Sequence, residues 1–244
     1  MSLPVFVVPA GALDSALVEV VGDEGRHAAA VRRIRTEEHI LLTDGQGNGA
    51  ECRVRVVGQQ GLVAEILVRR FEPVAAPRIT VVQAIPKGEH AHRAVDLLTE
   101  VGVDEIVPWA AVRAVVSWDA PREAKALSRW RATAQAAAKQ SRRLRFPVIS
   151  DLHSTAQVAS LLAAADLALV LHEEAVASLA TVAVPECGEL VLVVGPEGGV
   201  TDEEVSVFAA AGAQTMRIGP TVLRTSSAGM AACAALLSRT PRWA

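Results

Sequence analysis

Three short clusters in the C-terminal half of the chain have the composition of a ligand site. One is Gly195-Pro196-Glu197-Gly198-Gly199. Another is Ile218-Gly219-Pro220, followed closely by Leu223-Arg224-Thr225, and the third is Leu171-His172-Glu173. Glycine backbone can come close to a ligand and offer its own N–H and C=O groups. Two kinds of chemistry can be set aside. The glycines lack G-x-G-x-x-G spacing, and no Gly-Lys-Ser/Thr follows them, so the ligand is not held by its phosphates. His90 and His92 are too close together and lack a third ligand, so no metal site is expected. Taken alone, the 195–199 cluster reads equally well as a tight turn with no ligand. His172 reads either as a base or as a packing residue at a strand end.

The surrounding elements decide what these clusters can do. Residues 190–194 form an unbroken, β-branched apolar run, the pattern of a strand buried on both faces. After the glycines, Thr201-Asp202-Glu203-Glu204 is a capping box that starts a helix. Strand, glycine turn and helix is how α/β proteins build sites at the carboxyl edge of a parallel sheet. The same grammar runs through the second part of the chain. Strands are expected at 79–85, 105–108, 147–150, 166–171 and 214–218. Helices are expected at 88–101, closed by Gly102, then at 121–141, after the Ser154-x-x-Gln157 box, and at 226–238.

The first part reads differently. Strands are expected at 5–8, 39–43, 50–57 and 62–69, with one helix at about 24–34. In 50–57, Cys52, Val54 and Val56 alternate with Glu51, Arg53 and Arg55, the mark of a half-buried antiparallel sheet. Residues 1–72 therefore form a small β-barrel-like domain. The two prolines of 73–77 make a stiff linker, and 78–244 is the α/β domain.

With 51% hydrophobic and 21% charged residues in 244, the chain has the make-up of a well-packed globular protein. Aromatic content of 3% argues against an RNA surface built mainly on stacking, and Trp109, Trp118, Trp130 and Trp243 are assigned to core or interface. Cys52, Cys187 and Cys233 are odd in number and widely spaced, which fits a reducing compartment without disulfides. No run reaches membrane-spanning length and no basic n-region precedes the first strand, so a cytoplasmic location is expected. Net charge is −3, yet Arg122, Lys125, Arg129, Arg131, Lys139, Arg142, Arg143 and Arg145 crowd one stretch. That run is either a solvated helix face or the electrostatic footprint of a nucleic-acid binder.

Read together, the three clusters resemble the bacterial 16S rRNA uridine-N3 methyltransferases of the SPOUT superfamily. Further points of likeness are Val31-Arg32-Arg33, Thr99-Glu100-Val101-Gly102-Val103 and Gln140-Ser141-Arg142. The resemblance spans essentially the whole chain. It implies an N-terminal PUA-like β-barrel that binds RNA, and a C-terminal parallel-sheet domain tied in a trefoil knot, an exception to the rule against threading. It implies S-adenosylmethionine as cofactor, held by Leu171, His172, Gly195, Pro196, Glu197, Gly198, Gly199, Ile218, Gly219, Pro220, Leu223, Thr225 and Ala228. The partner it implies is 16S rRNA or the small ribosomal subunit, contacted through Arg26, Arg32, Arg33, Lys87, Arg142 and Arg143. A homodimer is implied too, and neither metal nor membrane.

That chemistry gives the residue types a use. Uridine N3 must lose a proton to become a good nucleophile, so a general base or a cation beside the resulting anion helps. Arg224 is the candidate cation. Glu197 is the candidate base, or else a structural carboxylate that accepts nearby N–H groups. Two departures stand out: Ser226 follows L-R-T where relatives commonly carry an acid, and Leu97 stands where they often carry a lysine. Alternative readings are a SPOUT enzyme acting on a ribose hydroxyl of rRNA or tRNA, and a non-catalytic RNA-binding assembly factor.

Overall fold

Period-two alternation builds the first of two compact units, and parallel strand–helix alternation builds the second. The computed structural model describes residues 3–118 and 120–243. The first unit comprises Met1–Val74 and Ala138–Phe146, and the second Ala75–Ala137 and Pro147–Ala244.

The first unit holds strands β1 (Val5–Val7), β2 (Leu17–Val20), β3 (His39–Thr43), β4 (Asn48–Gly58) and β5 (Gly61–Phe71). They form a five-stranded sheet in the order β1-β3-β4-β5-β2, parallel between β1 and β3 and antiparallel elsewhere. Phe6, Ile40, Leu42, Cys52, Val54 and Leu62 fill its core. β2 has no counterpart among the expected strands. The expected helix is a short α-helix, α1 (Gly22–Arg26), continued by a π-helical turn over His27–Val31. Val56 departs from its expected face and is 56% exposed. Register shifts between Glu51 and Cys52 and between Val54 and Val56 interrupt the period, and an inserted residue turns later side chains over.

Residues 138–146 join this unit through a glycine turn. The N–H of Gly47 and the hydroxyl of Thr43 both donate to the Leu144 carbonyl, at 2.9 and 3.0 Å. The N–H groups of Leu144 and Arg145 donate to the Glu72 carboxylate. Gly47 has φ +105, and a Cβ there would lie 2.5 Å from the Glu72 carbonyl oxygen, so only glycine fits. Lys139 pairs with Glu24 at 2.7 Å and lies over the Phe6 ring. Part of the basic run is therefore used in holding this unit together.

The second unit contains β6 (Arg78–Ala84), β7 (Glu105–Trp109), β8 (Val148–Ile149), β9 (Leu167–Leu171), β10 (Glu189–Val194) and β11 (Gln214–Met216). All pair in parallel, in the order β11-β9-β10-β6-β7-β8. Helices α2 (His90–Val101), α3 (Ala120–Gln140) and α6 (Thr225–Leu237) contribute to the core on one face, with Val81, Leu98, Trp130 and Cys233 in it. Helices α4 (Thr155–Ala164) and α5 (Asp202–Ala210) contribute to the other, around Trp109, Val158, Leu162 and Phe208. Both expected capping boxes form, Ser154 with Gln157 and Thr201 with Glu204. Gly102 ends α2 in a left-handed conformation, as expected. The small residues of α6 let it approach its own neighbours, for a Cβ on Gly229 would sit 3.0 Å from Leu98 and 3.2 Å from Val194. No helix among the described residues is long and apolar enough to cross a membrane.

Near its end the chain is pinned by a largely buried ion pair. Arg242 donates to the Asp104 carboxylate at 2.6 Å and to the carbonyls of Gly102 and Pro77, while Asp104 also accepts the Ile79 N–H. Removing one partner strands a buried charge. We expect Arg242→Ala to cost about 3 kcal/mol, read as a lowered urea midpoint. Replacing both residues with apolar ones should recover much of that loss.

The cysteines are free, with Cys187 exposed and the other two buried. Burial pushes the Cys52 and Cys233 thiols up to about 12. At pH 8 a thiol reagent should label Cys187 alone in the folded protein, and all three once it is unfolded. Because the raised values favour the neutral thiols in the folded state, stability should fall as pH rises above the ordinary thiol value, towards about 12.

Candidate functional site

Parallel pairing forces β11, β9, β10 and β6 to end on the same edge of the sheet. Met216 lies opposite Leu171, and Val193 opposite Val170. The segments that leave β9, β10 and β11 consequently face a common cavity of about 610 Å³. His172 is tied to the end of β11, its N–H donating to the Met216 carbonyl at 3.0 Å.

All of the residues assigned above to the cofactor line that cavity. Leu171 and His172 come from the β9 exit, Gly195 to Gly199 from the β10 exit, and Ile218, Gly219 and Pro220 from the β11 exit. Leu223, Thr225 and Ala228 come from the turn into α6 and its first turn. Leu171, Ile218 and Leu223 supply apolar wall, and the glycine segments supply backbone, the mixture that small-molecule sites use. Alanine at Gly195 would bring its Cβ to 2.8 Å from Val200, and at Gly198 to 3.0 Å from Arg113, so the turn has no room for side chains on that side.

Two hydrogen bonds fix the loops against one another. The Thr225 hydroxyl donates to the Gly195 carbonyl at 2.7 Å and accepts from the Gln83 amide at 3.0 Å. The Glu197 carboxylate accepts the Lys87 N–H at 3.0 Å, which binds the β10 exit to the β6 exit. That is the structural alternative for Glu197. Its second oxygen makes no hydrogen bond among the described residues.

Arg224 lines the cavity, is exposed, and occupies the N-cap position of α6 without capping it through its side chain. It pairs with no carboxylate among the described residues. Ser226 is buried in the first turn of α6 and is not among the residues that line the cavity. Leu97 lies within α2.

Arg113, Arg217 and His90 also line the cavity, and nothing in the sequence singles them out as site residues. Arg113 follows β7 and donates to the Gly198 carbonyl at 3.3 Å. Its loop is held by Glu204, whose buried carboxylate accepts the Val112 N–H at 2.8 Å as well as capping α5. The one signal in the sequence is its place just beyond a parallel strand's carboxyl end.

The residues assigned to RNA contact divide between the units. Arg26, Arg32, Arg33, Arg142 and Arg143 belong to the first, and Lys87 to the second. Arg26 pairs with Asp23, three residues before it. Arg33 and Arg142 both adopt left-handed backbone, at φ 53 and φ 60, just past the ends of helical segments.

Comparison with known proteins gives the same picture of the chain as a whole. Residues 74–237 match the family model described as an RNA methyltransferase domain, and residues 22–67 match an RNA methyltransferase PUA domain. The chain is 46% identical over 235 residues to the ribosomal RNA small subunit methyltransferase E of Mycobacterium bovis, covering 94% of this chain and 90% of that one. It is 28% identical to the Bacillus subtilis protein of the same name, over 91% of this chain and 90% of that one. A crystal structure of the Neisseria gonorrhoeae ribosomal RNA small subunit methyltransferase E, bound to S-adenosyl methionine, superposes with a TM-score of 0.85. It is 28% identical, over 97% of this chain and 98% of that one. With a parallel α/β unit, a PUA-type unit and relatives along nearly its whole length, the chain belongs to the RNA methyltransferase family of the ribosomal RNA small subunit methyltransferases E.

Proposed function

We propose that this protein transfers a methyl group from S-adenosylmethionine to N3 of a uridine in the 16S rRNA of the small ribosomal subunit. The observation that carries this reading is the meeting of three strand exits in one cavity with Arg224, which pairs with no carboxylate among the described residues, at its wall. The residues suit the cofactor: Leu171, Ile218 and Leu223 can flank an adenine, and glycine backbone can bond its polar edge. When bound, S-adenosylmethionine supplies a methyl group on a positively charged sulfur, open to in-line attack. The methyl–sulfur bond breaks with its electron pair left on sulfur, and the bond to uridine N3 forms as the N3 proton departs.

The chain's own groups then have two tasks. Arg224, fixed in charge, stabilises the negative charge that develops at the uracil oxygens. Glu197, one oxygen of which accepts the Lys87 N–H while the other makes no hydrogen bond among the described residues, takes the N3 proton in this reading. The first unit, with Arg142 exposed on its 138–146 segment, holds the RNA, in keeping with the match of residues 22–67 to a PUA domain. The same reading carries a homodimer working in the cytoplasm and a trefoil knot in the C-terminal domain.

Nucleoside analysis of methylated small-subunit RNA tests the reaction. N3-methyluridine is expected, and a 2′-O-methyl product would replace this reading with the ribose-directed one. Absence of any S-adenosylmethionine binding in a calorimetric titration would favour an assembly factor instead. For the residues, Arg224→Ala should lower turnover by about 10²–10³-fold while changing cofactor affinity little. Glu197→Gln keeps an acceptor for the Lys87 N–H but cannot take a proton. A loss of about 10²-fold or more identifies a base, whereas near-normal turnover assigns Glu197 to loop support alone.

A further inference from the structure

A second cavity, of about 290 Å³, lies beside the first on the second unit. Its described lining residues come from three places: the β6 exit and first turn of α2, the segment leading to Trp118, and the first half of α3. Arg122, Lys125 and Arg129 recur at the spacing of one helix face and all line it, with His92 contributed by α2. There is no carboxylate among the described residues that line it. Elsewhere on α3 the basic residues are engaged, Arg131 with Asp151 and Lys139 with Glu24. Lys125 and Arg129 make no ion pair among the described residues. Trp118 forms part of the wall and is held by an edge-to-face contact with the buried Trp130, ring centroids 5.5 Å apart at 85°.

We propose that this cavity is a nucleotide subsite that takes one residue of the substrate RNA next to the target, its phosphate on Lys125 and Arg129 and its base against Trp118. The inference rests on the RNA methyltransferase reading above. Charge complementarity favours an anion, and a rigid indole in the same wall favours one that carries a flat ring. Position favours RNA over a free metabolite. The two cavities share the start of α2, with His90 in one and Ala91 and His92 in the other. They also flank the β6 exit, which Glu197 ties to the glycine turn. A strand that delivers its pyrimidine to the first cavity has a neighbouring phosphate within reach of the second.

Binding of single-stranded hexauridylate to the full-length protein tests this without any turnover. The oligonucleotide should quench tryptophan emission, and Trp118→Phe, which keeps the ring contact with Trp130, should remove most of the quench. Lys125→Gln with Arg129→Gln should weaken binding at least tenfold. It should also flatten the salt dependence by about 0.7 in log–log slope for each phosphate no longer neutralised. S-adenosylmethionine affinity should stay unchanged, and in the methylation assay KM for the RNA should rise more than kcat falls. An unaltered slope and KM in the double variant would overturn the proposal. So would quenching by inorganic phosphate equal to that by hexauridylate, or a Trp118 signal that follows protein concentration alone and reports association between copies. If the wild-type protein methylates no RNA, the functional reading fails, while the oligonucleotide titration still decides whether the cavity holds a nucleotide.

Discussion

The bond from the Thr225 hydroxyl to the Gly195 carbonyl is the contact on which the cavity depends. It joins the two sequence clusters that matter only as a pair, the glycine turn after β10 and the L-R-T turn before α6. Thr225 can donate to that carbonyl because its oxygen accepts from Gln83, a fully buried amide on β6. The amide's orientation is fixed by the Ala84 carbonyl, which its nitrogen also meets at 3.0 Å. The Gln83 oxygen is consequently buried without a partner among the described residues, at a cost of about 1–3 kcal/mol. A polar chain across an apolar sheet core is unfavourable by itself. It persists where it fixes something the core alone would leave loose, here the relative position of two loops.

Glu204 does comparable work one strand order further along. Its two oxygens accept the N–H of Thr201, the N-cap of its own helix, and the N–H of Val112 in the β7 exit. Buried carboxylates are tolerated at helix N-termini because free N–H groups and the helix dipole neutralise them. One side chain thus caps α5 and aims Arg113 at the glycine turn. The cavity is built from side chains that anchor backbone, and the backbone in turn lines the cavity.

The parts legible in the sequence are those set by local chemistry. Both capping boxes, the Gly102 helix stop and the β-branched central strands depend on residues within a few positions, so the pattern of types is sufficient. β2 is hidden because it is four residues long, with only Val18 and Val20 buried, and is defined by pairing with β5 far along the chain. Alternation puts Val56 on the wrong face because a bulge is a property of two strands and leaves no mark in one. Arg113 is hidden for a similar reason. Nothing in its neighbourhood has the composition of a site, and the bond that brings its loop into place spans 92 residues. Residues 138–146 have the look of a basic helix end, yet the glycines that receive them lie in a turn about a hundred residues earlier.

The departure at Ser226 bears on chemistry less than its position beside L-R-T implies. It is buried in the first turn of α6, behind the wall formed by Thr225 and Ala228, and is not part of the cavity's lining. An acid at that position would face the start of a helix, where a carboxylate is stabilised by the dipole and by backbone N–H groups. Its place is therefore that of a support for the turn, and serine is also a favoured residue near helix starts. Arg224, immediately before Thr225, has the opposite situation: exposed, on the cavity wall, and not used as a cap. The turn thus buries its small polar residues to hold shape and leaves its one permanent charge facing the cavity.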